Sequence, residues 1–130
     1  MSQSSNQHLI FVYGTLMSGQ RANYMLHGAD YLGKFRLPDY GMYNLGRYPG
    51  IKPLEGGCVW GEVYRVDDKA LEQMDEYEGN GSLYHRTAVI VTGGGRLLQV
   101  QSYVYGHEVL HGFPLMADPW GAPLSDWNEV

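Results

Sequence analysis

The stretch Leu9-Ile10-Phe11-Val12-Tyr13-Gly14-Thr15-Leu16 decides how the fold begins. Its first five residues are aliphatic, β-branched or aromatic without a breaker, which predicts a short buried strand. Gly14 allows backbone angles that a side chain would forbid, so the chain can turn sharply as it leaves the sheet. Arg21 to His27 then have the composition of a short helix. Unpaired backbone N–H groups at such a junction suit a small anion. An ordinary strand-to-helix turn would show the same pattern.

The composition of the 130 residues restricts the class of protein. Hydrophobic residues make up 44% and charged residues 18%, which is typical of a globular chain, and we expect one domain over 1–130. The net charge of −5 argues against nucleic acid or an anionic membrane as the main partner. The single cysteine, Cys58, excludes an internal disulfide and indicates a reducing compartment. Residues 1–7 form a polar tail unlike a signal peptide, and no apolar run is of membrane-spanning length, so we expect a cytoplasmic protein.

Eleven tyrosines and eighteen glycines favour strands joined by tight turns. Apolar and β-branched runs predict strands at Leu9–Tyr13, Ala29–Leu37, Tyr40–Leu45, Cys58–Val66, Tyr84–Thr92 and Leu97–Tyr105. The glycine- and proline-rich segments Gly46–Pro53 and Glu55–Gly57 are predicted to be loops. Gly93-Gly94-Gly95 predicts a hairpin between the last two strands. Residues 112–130 contain prolines and no period, which predicts an irregular C-terminal tail.

The clearest helix is predicted over Asp68 to about Tyr77, with a capping aspartate before it and a glycine after it. Leu71 and Met74 form its apolar stripe, and Glu78 continues that stripe. Burial and the negative end of the helix dipole both disfavour a charged carboxylate at this place. We therefore expect Glu78 either to pair with a cation or to be a base of raised pKa. If the helix ends earlier, the side chain lies in water instead.

His107-Glu108-Val109-Leu110-His111 is a literal H-E-x-x-H sequence. On a helix, the two imidazoles would share a face and could hold zinc, with the glutamate as the base. Glycines on both sides and a nearby proline leave hardly a helical turn free, so we interpret the match as coincidence. A zinc hydrolase that uses His107, Glu108 and His111 is kept as an alternative.

The chain has both a Y-G-T-L sequence, at Tyr13 to Leu16, and a later glutamate, Glu78. Together they make it resemble the γ-glutamylcyclotransferase-like family, in particular its AIG2-like and γ-glutamylamine cyclotransferase branch. The matching pieces extend from about Leu9 to Tyr105. Besides the loop and Glu78-Gly79, they are Gly19-Gln20, Asn23, Tyr48-Pro49, Gly61-Glu62-Val63-Tyr64, Leu71, Asp75, Tyr84, Arg86 and Val89. The loop followed by Glu-Gly and Tyr-x-Arg at this spacing is the specific part of the match.

The resemblance implies an α+β fold, with a small closed or nearly closed mixed β-sheet that is barrel-like, a few packed helices and a pocket at its mouth. It also implies an enzyme that converts a γ-glutamyl amine or peptide to 5-oxoproline and free amine, without a metal or organic cofactor. Glu78 would be the acid/base, and the partner would be the small-molecule γ-glutamyl substrate. The residues expected to bind that substrate are Tyr13, Gly14, Thr15, Leu16, Tyr48, Tyr84, Arg86 and Tyr105.

The residues fit this chemistry. The substrate's own α-amine attacks its own γ-carbonyl, so folding the substrate into the ring-closing shape is much of the catalysis. A single carboxylate of raised pKa, reachable by both nitrogens, can serve as base and then as acid. Three alternatives stay open. Arg86 fits a structural pair with Glu62 or Asp75 equally well, Tyr103 and Tyr105 fit buried tyrosines with satisfied hydroxyls, and the chain fits a non-catalytic protein that binds γ-glutamyl ligands.

Overall fold

Strands closed into a ring, with a helix packed on the outside, form the described part of the molecule. The computed structural model describes residues 7–13, 26–44, 49–79, 81 and 83–107. The elements are β1 Gln7–Val12, β2 Asp30–Asn44, β3 Pro49–Asp67, α1 Asp68–Glu78, β4 Tyr84–Gly93 and β5 Arg96–Tyr105. Around the ring the order is β1-β3-β2-β4-β5, and β5 closes on β1 and also pairs with β3. The expected α+β class with a closed mixed sheet is confirmed, although these ranges contain one α-helix instead of a few.

The pairing of the strands is mixed, as expected. β1 and β2 both pair antiparallel with β3, and β4 pairs antiparallel with β5, whereas β5 meets β1 and β3 in parallel. In strands where apolar and polar residues alternate, the apolar residues lie on one face. Closing the sheet into a ring brings these apolar faces together in a common interior. The fully buried side chains include Ile10, Phe11, Phe35, Leu37, Ile51, Val59, Val63 and Val91. Because Ile10 and Phe11 are consecutive and point to opposite faces, β1 is buried on both of its faces.

The β2–β3 hairpin corrects the sequence prediction. β2 is one strand where two were expected, and residues 49–57, predicted to be loops, belong to β3. The register shifts between Pro38 and Tyr40, where Asp39 has φ 64° and accepts the Gly56 N–H at 3.0 Å through Oδ1. Asp39 and Gly56 thus supply positive φ angles on both strands, which bend the hairpin without ending it. Glycine and proline here mark a bend within paired strands.

Helix α1 has the ends that were predicted. Asp67 accepts the Ala70 N–H at 2.8 Å through Oδ1, which satisfies one of the unpaired donors of the first turn. Gly79 adopts the left-handed conformation, φ 64°, and its N–H returns to carbonyls of the preceding turn. Glu78 is therefore the last helical residue, and its carboxyl group lies on the final turn.

The β4–β5 hairpin is confirmed as well. Gly94 and Gly95 have φ angles of 56° and 77°, as a tight two-residue turn requires, and pairing continues from Gly93↔Arg96 to Tyr84↔Tyr105. Of the expected helix at 21–27, residues 21–25 lie outside the described ranges. No helix in the described ranges combines the length and the apolar character needed to cross a membrane.

Candidate active site

Helix α1 lies against one face of the β4–β5 hairpin. Tyr84 and Arg86 are two apart on β4 and pair with Tyr105 and Tyr103 of β5, so all four side chains are on the same face. The Tyr103 hydroxyl donates to Asp75 Oδ1 of the helix at 2.7 Å, and Arg86 Nε lies 3.0 Å from the same oxygen. These contacts place the last turns of α1 over this face.

Glu78 lies three residues beyond Asp75, at the end of the helix. Burial raises the pKa of its carboxyl group from the ordinary 4.5 to about 7. Burial is also the main cause of the raised pKa values of Tyr13 and Tyr103, and the charge of Glu78 raises both further. The carboxyl group is therefore near enough to both hydroxyls for its charge to act on them. The raised pKa agrees with one of the two expectations for Glu78, whose role as a base stays a prediction.

Tyr13 follows β1 and begins the Y-G-T-L loop. Its buried hydroxyl donates to the Tyr103 carbonyl at 2.6 Å and accepts the Ile51 N–H. These bonds tie the end of β1 to β5 and β3, so the loop starts from a fixed point beside Glu78. The other predicted site residues of the two loops, Gly14, Thr15, Leu16 and Tyr48, lie outside the described residues.

Tyr84 and Tyr105 form an aromatic pair next to the end of α1. Their ring centroids are 5.8 Å apart in an edge-on arrangement, and the Tyr84 N–H lies 3.5 Å from the Gly79 carbonyl.

Lys52 Nζ lies 5.8 Å from the Tyr105 ring and donates to the carbonyls of Tyr105, at 3.3 Å, and His107, at 2.6 Å. Sequence reasoning missed Lys52 because its segment was interpreted as a loop. Its position on β3 beside the end of β5 depends on a strand pairing that no local pattern showed.

Arg86 has protein partners on two sides. Its Nη1 donates to Gln101 Oε1 at 2.6 Å, and its Nε forms the ion pair with Asp75. The structural pair with Asp75 was one of the alternatives for this residue, whereas Glu62 accepts a hydrogen bond from Tyr64 at 3.1 Å. Arg86 thus contacts the helix from the sheet, and its expected part in substrate binding stays a prediction.

Only the first residue of the H-E-x-x-H sequence is described. The His107 ring meets Tyr105 edge-on, with centroids 5.5 Å apart, and residues 108–111 lie outside the described ranges. Within those ranges, no group of three or more histidine, cysteine, aspartate or glutamate side chains is placed to hold a metal ion.

Comparison with known proteins identifies the family. The model of the gamma-glutamyl cyclotransferase, AIG2-like family matches residues 10–129, which is most of the chain. The chain belongs to this family. The match continues past Tyr105, where the recognisable sequence motifs end, so the family likeness also includes the C-terminal segment.

Relatives of this gamma-glutamyl cyclotransferase family member span most of its length. A Vibrio cholerae protein is 44% identical over 125 residues, covering 95% of this chain and 97% of its own. Rat gamma-glutamylaminecyclotransferase is 37% identical over 113 residues, covering 74% of this chain and 75% of its own. The crystal structure of a mouse AIG2-like protein superimposes with a TM-score of 0.75 at 30% identity, covering 91% of this chain and 95% of its own. The closed sheet with its helix is thus the fold of the family.

Proposed function

We propose that this protein is a cyclotransferase that converts a γ-glutamyl amine or peptide to 5-oxoproline and the free amine, with Glu78 as the acid/base. The observation that carries the proposal is the burial of the Glu78 carboxyl group at the end of α1, which raises its pKa to about 7, beside Tyr13. Family membership supports the reaction class. The name of the rat relative supports γ-glutamyl amines as substrates.

The reaction moves two protons from the attacking nitrogen to the leaving nitrogen. The α-ammonium group gives one proton to Glu78, and the free amine attacks the γ-carbonyl carbon, whose π electrons move to the oxygen. When the carbonyl re-forms, the bond from carbon to the leaving nitrogen breaks, and protonated Glu78 gives its proton to that nitrogen. Glu78 then carries the second proton from the new ring nitrogen to the released amine. The carboxyl group ends the cycle unchanged.

A pKa of about 7 suits both halves of this cycle, because the carboxyl group is then easily protonated and deprotonated at neutral pH. In this proposal, the loop at Tyr13, Gly14, Thr15 and Leu16 holds the α-carboxylate or stabilises the developing oxyanion. Tyr84 and Tyr105 would line the side of the site next to the end of α1. Arg86 supports the site through Asp75.

The test is mass-spectrometric detection of 5-oxoproline after purified, chelator-treated protein is incubated with a panel of γ-glutamyl amines and peptides. We expect release from at least one substrate. Glu78→Gln should keep the fold and lose about 10²–10⁴-fold in rate, the usual contribution of a positioned acid/base. Glu76→Gln removes an exposed carboxyl group from the same turn and should keep the rate.

Two outcomes would contradict the proposal. Near-normal turnover by Glu78→Gln would remove the residue from the mechanism. A complete absence of 5-oxoproline, together with a ligand-induced rise in melting temperature, would indicate a protein that binds γ-glutamyl compounds without converting them.

A further inference from the structure

Polar side chains join the last turns of α1 to the sheet. Asp75 Oδ1 faces both the Tyr103 hydroxyl, at 2.7 Å, and Arg86 Nε, at 3.0 Å. Tyr103 is only 2% exposed, and Arg86 is held from its other side by Gln101 at 2.6 Å. The Asp75 carboxylate is thus fixed by a hydroxyl donor and a cation that are themselves fixed.

The Asp75 contact with the sheet lies three residues, or nearly one helical turn, before Glu78. Residues three apart on a helix are neighbours on its surface, so Asp75 and Glu78 lie on the same side of α1. The helix then stops at once, because Gly79 turns into the left-handed conformation and donates its N–H to the Asp75 and Glu76 carbonyls. The position of the Glu78 carboxyl group therefore depends on how this last turn is held.

Among the described residues, the charge of Glu78 acts on the hydroxyls of Tyr13 and Tyr103, and Tyr103 is in turn the neighbour of Asp75 and Arg86. Burial raises the pKa of Tyr13 and of Tyr103, which keeps both neutral at pH 7. Asp75 and Arg86 are the charged members. At a separation of 3.0 Å, their effects on the potential at Glu78 oppose each other.

We propose that Asp75 and Arg86 are positioning residues for Glu78, which hold the last turn of α1 on the sheet and balance each other's charge beside its carboxyl group. The catalytic meaning of this pair rests on the proposed function. The effect of the pair on the Glu78 carboxyl group can be measured without turnover, so the positioning role and the proposed function can be tested separately.

The test titrates Glu78 by NMR in protein labelled with ¹³C at the glutamate carboxyl groups, with Glu78→Gln used to assign the signal. Arg86→Gln leaves the Asp75 carboxylate uncompensated and should raise the pKa of Glu78. Asp75→Asn leaves the guanidinium group uncompensated and should lower it. We expect about half a pH unit or more in each case, from the Coulomb interaction of charges near a protein surface. The double variant Asp75→Asn/Arg86→Gln should return close to the wild-type value.

Shifts of the Glu78 pKa in opposite directions in the two single variants distinguish an effect of charge from a loss of structure. A helix end that merely loosens would admit water and lower the pKa of Glu78 in every variant. Arg65→Gln is the matched control, because it breaks the exposed Arg65–Asp30 pair, 3.1 Å long, near the start of α1. It should leave the titration of Glu78 unchanged.

Kinetics give the second measurement. The acid limb of the kcat/KM profile should move with the NMR titration, and kcat should fall by a larger factor than KM changes. Shifts of the same sign in both single variants, no shift in either, or no recovery in the double variant would overturn the proposal. If the Glu78 pKa shifts in opposite directions in the two single variants while neither the wild type nor any variant releases 5-oxoproline, the positioning role of the pair is supported and the proposed function is wrong.

Discussion

Replacing Glu78 by glutamine should stabilise the fold at pH 8 far more than at pH 5. Burial raises the pKa of the Glu78 carboxyl group from 4.5 to about 7, so the folded chain binds this proton more tightly than the unfolded chain. Between these two pH values the unfolded chain has lost the proton and the folded chain has kept it, so the free energy of unfolding falls as pH rises. At about 1.4 kcal/mol per pKa unit, the loss amounts to about 3 kcal/mol by pH 8.

Glutamine has nearly the same shape and does not titrate in this range, so Glu78→Gln avoids this loss. The free energy of unfolding of the variant minus that of the wild type should rise by about 3 kcal/mol between pH 4.5 and pH 7, and should be level above pH 8. Urea denaturation followed by circular dichroism at constant ionic strength, from pH 4.5 to pH 8.5, measures both values. Glu76→Gln, whose carboxyl group is exposed, is the control and should give a flat difference.

Two results would refute this reasoning. A difference that does not depend on pH would mean that the Glu78 carboxyl group has the same pKa in the folded and unfolded chains. A difference that falls as pH rises would mean that the fold stabilises the charged form, as it would if a cation paired with Glu78. In either case the raised pKa would no longer support Glu78 as the acid/base.

Two further substitutions test the packing around the site. Tyr13→Phe removes a buried hydroxyl that bonds the Tyr103 carbonyl and the Ile51 N–H, and should lower the free energy of unfolding by about 1–3 kcal/mol in urea denaturation. Tyr31→Phe, on a half-exposed ring, should change it by less than about 0.5 kcal/mol, and equal effects would contradict the role of the bonds. Gly61→Ala would place a Cβ atom against the Val12 carbonyl and, at 2.7 Å, the Phe11 ring, and should lower the melting temperature by several degrees at a cost of about 1–3 kcal/mol. Gly106→Ala meets chiefly the exposed His85 ring, which can rotate away, so a larger loss there than at Gly61 would be the contrary result.

The features predicted well from sequence are those decided by neighbours in the chain. The ends of α1 follow from Asp67 and Gly79, which act on N–H and carbonyl groups within one turn. The placement of Glu78 follows from the same periodicity, because continuing the apolar stripe of Leu71 and Met74 leads to a partly buried position at the end of the helix.

The features that sequence reasoning missed depend on contacts between distant residues. Glycine next to proline usually indicates a loop, but the Asp39–Gly56 hydrogen bond joins residues 17 apart and keeps both strands paired through the bend. The partner of Arg86 could not be chosen between Glu62 and Asp75 from spacing alone. The choice follows from the path of α1 over the β4–β5 hairpin, which is set by packing of the whole sheet.

The spacing between Asp75 and Glu78 is what joins the fold to the proposed chemistry. One residue earlier or later, the carboxyl group would turn by about 100° around the helix axis, away from the face that Asp75 fixes on β4 and β5. One further turn of helix would move the end of α1 by about 5 Å, so the stop at Gly79 matters as much as the spacing. A carboxylate held out of water costs stability, and the fold tolerates it because the Asp75 contact and the buried Met74 hold the same helix. The chain thus combines a carboxyl group of raised pKa with a helix end held on the sheet in five consecutive residues, Met74 to Glu78.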